Sequence, residues 1–387
     1  MSTETTAVRI EGECAAGFQP VRRAFEENFA ERGEIGAAVS VTVRGETVVD
    51  LWAGWADPAR TRPWRADTLT NVWSTTKGMT AICAHQLADR GELDLDAPVA
   101  KYWPEFAAAG KQDIPVRWLL SHRSGLTGIG LDHPTTVEDL YDWDKITGLL
   151  AAQEPLFEPG SASGYHALSF GFLVGEVIRR ISGRTVGEFF ADYVAAPLDA
   201  DFRIGGVTDL GRCSTLRNPA LTPEGQSAMA EAMLAAGPVA IAAIANPALT
   251  GDHANVPAWR EAELPALNGH GTARAIATIY GALADGSERL LSAGALATAT
   301  ASQGRGIDLV GRVGAEWSLG FCLGSDERSF GPNPHAFGHD GFGGSTGGAD
   351  PAAGIAFGYT MNNMGPQLRD DPRKMALVEA IFRSDAS

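Results

Sequence analysis

The sequence predicts an α+β protein: one antiparallel sheet assembled from both ends of the chain, flanked by helices, with a mainly helical region inserted between. Three observations carry this expectation. β-like runs occur near the start and again after residue 335, helical patterns fill the interval, and tight turns rather than helical crossovers join the terminal runs.

Taken in order, FQPVRRAFEENFAERG predicts a helix over about 18–32. AAVSVTV (37–43) and ETVVDLWAG (46–54) follow, joined through Arg44-Gly45, which is a hairpin signal. STTKGMTAICAHQLADR predicts a helix from Ser74 to about Arg90, with Gly91 as its stop. Between about 100 and 285, helical patterns such as 136–153 and 169–183 alternate with loops rich in Gly, Pro and Asp. The end returns to strands at 335–341, 347–351 and 353–362, and a helix closes the chain over 372–384. The expected division is a sheet domain of 1–70 with 270–387 and a helical domain of 71–269, with a site in the cleft between them.

The composition bounds the function. The chain has 387 residues, 44% of them hydrophobic and 20% charged, enough for a sizeable core. Its net charge of −16 repels phosphate backbones and anionic lipid, arguing against nucleic-acid and membrane partners. Four scattered cysteines (Cys14, Cys83, Cys213, Cys322) form no CxxC pair, so free thiols in a reducing compartment are expected. The polar opening MSTETTAVRIEGE has no basic or apolar leader pattern, which predicts a cytoplasmic protein. Residues 232–251 are uncharged, but Gly237, Pro238, Asn246 and Pro247 interrupt them; an apolar segment covering a pocket is expected, not a membrane span.

Ser74-Thr75-Thr76-Lys77 is the one Ser-x-x-Lys in a chain with five lysines. Residues three apart on a helix share a face, so the amine can reach the hydroxyl. A serine hydroxyl becomes a strong nucleophile when a neighbouring base takes its proton. The plain alternative is an N-cap serine with a solvated lysine. The apolar flanks of the segment instead predict a buried Lys77. Tyr165, at the end of a Gly/Ser loop before an apolar helix, is a second candidate for proton transfer; a core tyrosine is its plain alternative.

Gly343-Gly344-Ser345-Thr346-Gly347 is a literal G-x-S-x-G, but a β-like run follows it where a nucleophile elbow needs a helix, so Ser345 is read as part of a turn. His335 and His339 lack a metal-site context, and no phosphate-loop or dinucleotide fingerprint occurs, so no metal and no cofactor is expected. His85 is read as a partly buried helix residue and His122 as a loop organiser.

Ser74-x-x-Lys77, Tyr165 and the late His339-Asp340-Gly341 together resemble the serine β-lactamase and penicillin-binding-protein superfamily, in particular the class C-like branch containing the family VIII carboxylesterases. GELDLDAPVAKYWPEF (91–106), IPVRWLLSHRSGLTG (114–128), NGHGTARAIATIYGALADG (268–286) and GHDGFGGSTGGADPAAGIAFGYTMN (338–362) extend the likeness from about residue 20 to the end. The resemblance implies the β-lactamase/transpeptidase-like fold. It also implies Ser74 as acyl-accepting nucleophile, Lys77 as its proton partner, and Tyr165 as the group that shares the proton and activates water. The backbone N–H groups of Ser74 and Phe342 would form the oxyanion hole. His339, Gly341 and Trp259 are the candidates for substrate contact, with 232–260 as a wall of the acyl pocket.

Two departures bear on substrate. The second motif reads Tyr165-His166-Ala167, without the family's asparagine, and the third reads His339-Asp340-Gly341, without its lysine. Both losses favour small neutral esters, of short acyl chain by family likeness, over lactams and peptidoglycan stems. A β-lactamase, D-alanyl peptidase or amide hydrolase, and a non-catalytic penicillin-binding-like receptor, are the alternatives. The sequence is also compatible with a homo-oligomer.

Overall fold

The computed structural model describes residues 8–220, 222–324, 330–367 and 370–384; the first seven residues of the polar opening lie outside these. Its main sheet has seven antiparallel strands, in the spatial order Ile10–Cys14, Glu46–Gly54, Gly36–Val43, Ile355–Met361, Thr346–Asp350, Phe337–Asp340, Cys322–Leu323. N-terminal and C-terminal segments therefore meet at the pairing of Gly36–Val43 with Ile355–Met361, as the terminal β-like runs predict. The hairpin turn forms at Arg44-Gly45, where both residues have positive φ (50° and 84°), the geometry whose twist suits a two-residue connection.

Ile355–Met361 and Thr346–Asp350 are buried throughout, as central strands covered on both faces should be. The helix Ala273–Ala284 lies on the sheet at glycines: a Cβ on Gly347 would come within 2.4 Å of Ile276, and one on its partner Gly358 within 2.4 Å of the Ala273 carbonyl. The helices Gln19–Glu31 and Pro372–Phe382 pack on one another.

The interior of the chain supplies Thr76–Asp89, Trp143–Ala152 and Ser169–Ser182, near the expected places. The Asp142 carboxylate caps the second by accepting the Lys145 N–H, and Gly183 (φ 70°) ends the third in the left-handed conformation. Three elements depart from expectation. Ile10–Cys14 is an edge strand. A small sheet joins Thr70–Asn71, Gly269–Gly271 and Phe202–Ile204. A hairpin pairs Arg305–Ile307 with Gly314–Glu316. The first part of the uncharged stretch, 232–244, falls in a helix, Pro223–Ile244, broken at Gly237 and Pro238, and 245–251 follow it. Among the described residues no helix is long and apolar enough to cross a membrane.

Candidate active site

The α-helix expected from Ser74 begins two residues later, at Thr76; Ser74 sits in the 3-10 turn Trp73–Thr75 that feeds it. The cause is Trp73, whose φ of 48° is left-handed, a rare state for a bulky residue that persists only where surroundings fix it. The Trp73 ring is wedged between Trp259 (5.4 Å between centroids) and Phe342 (5.6 Å). The Thr76 hydroxyl donates to the Trp73 carbonyl and accepts the Gly269 N–H, and Ser345 Oγ donates to the Val72 carbonyl at 2.8 Å. From Thr68 to Leu87 Ser74 alone is not buried.

Lys77 is fully buried. Its Nζ lies 3.1 Å from Ser74 Oγ, 2.9 Å from the Ala167 carbonyl and 3.1 Å from the Ala266 carbonyl. None of these partners is charged. Burial therefore holds the amine well below the ordinary lysine range, against a smaller opposing influence from Cys322. A neutral amine here donates its two N–H bonds to the two carbonyls and turns its lone pair to the serine hydroxyl, which is the arrangement a general base needs.

Tyr165 lies beside this amine, its ring centre 4.9 Å from Lys77 Nζ, and it is stacked on Trp317 (5.3 Å, 8° between planes). His122 abuts both rings at 4.9 and 4.4 Å, and its Nδ1 accepts the His166 N–H, so it does organise this loop. His166 turns away from the chemistry. Its Nδ1 is 2.6 Å from the Gly164 carbonyl, an acceptor, so that nitrogen carries the proton and Nε2 accepts from Ser124 Oγ at 2.6 Å. Burial lowers its pKa to about 4. Ala167 contributes its carbonyl to Lys77, and with Tyr165 and Val239 it packs on a small apolar cluster of Ala240, Ala243 and Val310. The second half of the broken helix thus lines the tyrosine.

The third motif ends the strand Phe337–Asp340. His339 is buried with Nδ1 2.7 Å from the Asp340 carbonyl oxygen. The Asp340 carboxylate accepts from Thr346 Oγ1 and faces Lys374 at 3.1 Å. Gly341 meets the nucleophile turn so closely that a Cβ would stand 2.1 Å from the Val72 carbonyl and 2.1 Å from Ser345 Oγ. That contact sets Phe342 beside Trp73. Behind the turn, the Arg373 guanidinium donates to the Gly343 carbonyl at 2.9 Å.

Ser345 is fully buried with its hydroxyl engaged by Val72, so it has no opening to a substrate. Trp259 corrects the expectation of a pocket wall. It is fully buried, its indole N–H donates to Asn71 Oδ1 at 2.9 Å, and it backs Trp73 instead of facing an open space. His85 is fully, not partly, buried, with Nε2 2.7 Å from the Leu319 carbonyl. Sequence reasoning missed Trp73, Trp317 and the Ala167 and Ala266 carbonyls; a backbone acceptor leaves no mark in side-chain patterns. Among the described residues no group of His, Cys, Asp and Glu is arranged to hold a metal ion.

A half-buried serine in a tight turn, with a buried, uncharged-partnered lysine against it on the helix that follows, defines a serine hydrolase. The chain belongs to the beta-lactamase family, whose profile matches residues 21–380. It is 36% identical over 405 residues to Esterase/beta-lactamase LipL of Mycobacterium tuberculosis, covering 98% of this chain and 89% of that protein. Its structure is similar to that of a family VIII carboxylesterase (45% identity, TM-score 0.89, covering 97% of this chain and 99% of that one). It is also similar to a penicillin-binding protein homolog from Caulobacter crescentus (40% identity, TM-score 0.87, covering 97% and 99%). The fold is the β-lactamase/transpeptidase-like one.

Proposed function

We propose that this chain is a carboxylesterase that cleaves small neutral esters of short acyl chain through an acyl-enzyme on Ser74. The observation that carries the reading is the Lys77 amine, stripped of charged partners and 3.1 Å from Ser74 Oγ. Lys77 takes the hydroxyl proton as Oγ bonds to the ester carbonyl carbon. The carbonyl oxygen gains the electron pair and is stabilised by the N–H groups of Ser74 and Phe342; losing one such donor typically costs about 100-fold or more in rate. The intermediate re-forms its C=O and expels the alcohol oxygen, which leaves with the proton relayed by Lys77 and Tyr165. Water then attacks the acyl-serine and gives its proton to Tyr165 as the phenol passes its own to Lys77, and the Ser74 oxygen recovers that proton from Lys77 as the acid departs.

Ala167 offers no side-chain amide to a peptide or lactam, and His339 replaces the lysine that would hold a substrate carboxylate, which supports neutral esters. The site belongs to a cleft between a helical part, 71–269, and a sheet part, 1–70 with 270–387, in a cytoplasmic protein. The family VIII carboxylesterase similarity supports the ester reading. The name of LipL favours lactam cleavage as a second activity.

Hydrolysis of p-nitrophenyl acetate tests the proposal. Ser74→Ala is expected to remove turnover while folded Ser345→Ala keeps it, and a fluorophosphonate should add mass at Ser74. Activity that survives Ser74→Ala but not Ser345→Ala overturns the assignment, and nitrocefin turnover rivalling ester turnover moves it to the lactamase reading.

A further inference from the structure

The hairpin of Arg305–Ile307 and Gly314–Glu316 plays no part in the chemistry above, yet its loop and its exit are fastened to one residue. Asp308 is fully buried. A single oxygen, Oδ1, accepts three backbone N–H bonds, from Val310 at 2.9 Å, Gly311 at 2.8 Å and Tyr165 at 3.3 Å. The Leu309 N–H donates to the Ser163 carbonyl at 2.8 Å, two residues before Tyr165. Trp317, immediately after the hairpin, lies face to face with the Tyr165 ring, and Val310 belongs to the apolar cluster on which Tyr165 packs.

Tyr165 is thus gripped at its main chain by a carboxylate and at its ring by an indole, both from one short segment about 150 residues further along. A buried carboxylate is costly unless it is hydrogen-bonded, and with Oδ2 buried and unpartnered among the described residues the three bonds to Oδ1 are what hold Asp308; two of them only shape its own loop. The third reaches the residue that stands over the site amine. We propose that Asp308, supported by Trp317, is a positioning residue that fixes Tyr165 for proton transfer. The proposal rests on the role given to Tyr165 above. Phenol, amine and serine must hold hydrogen-bonding distances together, and a misplacement of about 1 Å can cost about 100-fold in rate.

The test compares Asp308→Ala, Asp308→Asn, Tyr165→Phe and the double variant Asp308→Ala/Tyr165→Phe. Ester kinetics are paired with fluorine NMR of fluorotyrosine-labelled protein, in which the Tyr165 resonance is the one Tyr165→Phe removes. Folded Asp308→Ala should shift or broaden that resonance and lower kcat by about 10–100-fold with KM nearly constant. Asp308→Asn keeps an acceptor oxygen and should restore both. In the Tyr165→Phe background, Asp308→Ala should cost nothing more. If Asp308→Ala does not fold, Trp317→Leu replaces it with the same expectations. An unmoved Tyr165 resonance overturns the proposal, as does an equal kcat loss in both backgrounds. Full turnover by Tyr165→Phe removes the proton role of the tyrosine, and the resonance then decides the positioning by itself.

Discussion

Two buried lysines sit on opposite sides of the glycine turn at 341–344. Lys77, under the nucleophile, meets a hydroxyl and two carbonyls. Lys374, behind the turn, meets the Asp340 carboxylate at 3.1 Å and the Phe330 ring at 4.7 Å. Its neighbour Arg373 is set between the Asp371 carboxylate at 2.6 Å and the Glu34 carboxyl group at 3.1 Å, and the Glu34 carboxyl also accepts the Tyr359 hydroxyl. Both lysines are buried. They differ in counter-charge. Where none is supplied, burial drives the proton off an amine and makes it a base. Where it is supplied, cations become struts, and Arg373 braces the carbonyl of Gly343 next to the proposed oxyanion donor.

The contrast breaks most visibly in catalysis. Lys77→Met should lower kcat for p-nitrophenyl acetate by on the order of 10⁴-fold or more, since nucleophile and base act as one unit. Turnover within tenfold of wild type in steady-state assays would remove the amine from the mechanism. Arg373→Ala, across the turn, should be felt first in stability. Stripping one partner from a buried ion cluster costs about 3–5 kcal/mol, read from the urea midpoint. A midpoint unchanged by that substitution would mean the cluster braces nothing.

The pH dependence of stability sharpens the contrast, because the two regions titrate with opposite signs. Lys77 binds its proton in the unfolded chain over a window below the ordinary lysine pKa in which the folded protein excludes it. In that window wild type should gain about 1.4 kcal/mol per pH unit over Lys77→Met as pH rises. Glu34 is the reverse. Burial raises its carboxyl to about 7 from an ordinary value of 4.5, against the pull of Arg373 and Tyr359. Its contribution is complete below 4.5 and is lost as pH rises through about 7. Glu34→Gln should flatten that fall, about 1.4 kcal/mol per pH unit at most. Denaturant titrations at stepped pH measure both, and slopes of the same sign would refute the contrast. A smaller effect is kinetic. The rise of kcat/KM with pH should begin well below the range where a solvent-exposed lysine titrates, and should vanish in Lys77→Met.

The sequence made Ser74 and Lys77 legible because lysine is scarce and the spacing of three is meaningful on any helical turn. It made the sheet legible because the runs at 37–43, 46–54 and 353–362 are rich in β-branched and aromatic residues and its main hairpin carries Arg44-Gly45. The strand Ile10–Cys14 escaped because edge strands are short and polar, and IEGEC is mostly exposed. Trp259 was misjudged because a tryptophan that backs another ring and one that lines a pocket look alike in sequence. The partners that make Lys77 a base were invisible, since the Ala266 carbonyl is 189 residues away along the chain and any residue type could supply it.

The distribution of amines has a practical side. Lys77, Lys111 and Lys374 are enclosed, whereas Lys101 and Lys145 are exposed. Activated-ester dyes or resins therefore meet two side-chain anchor points on the folded molecule. Attachment through them gives a small set of defined orientations on a support and leaves the amine beside Ser74 unmodified.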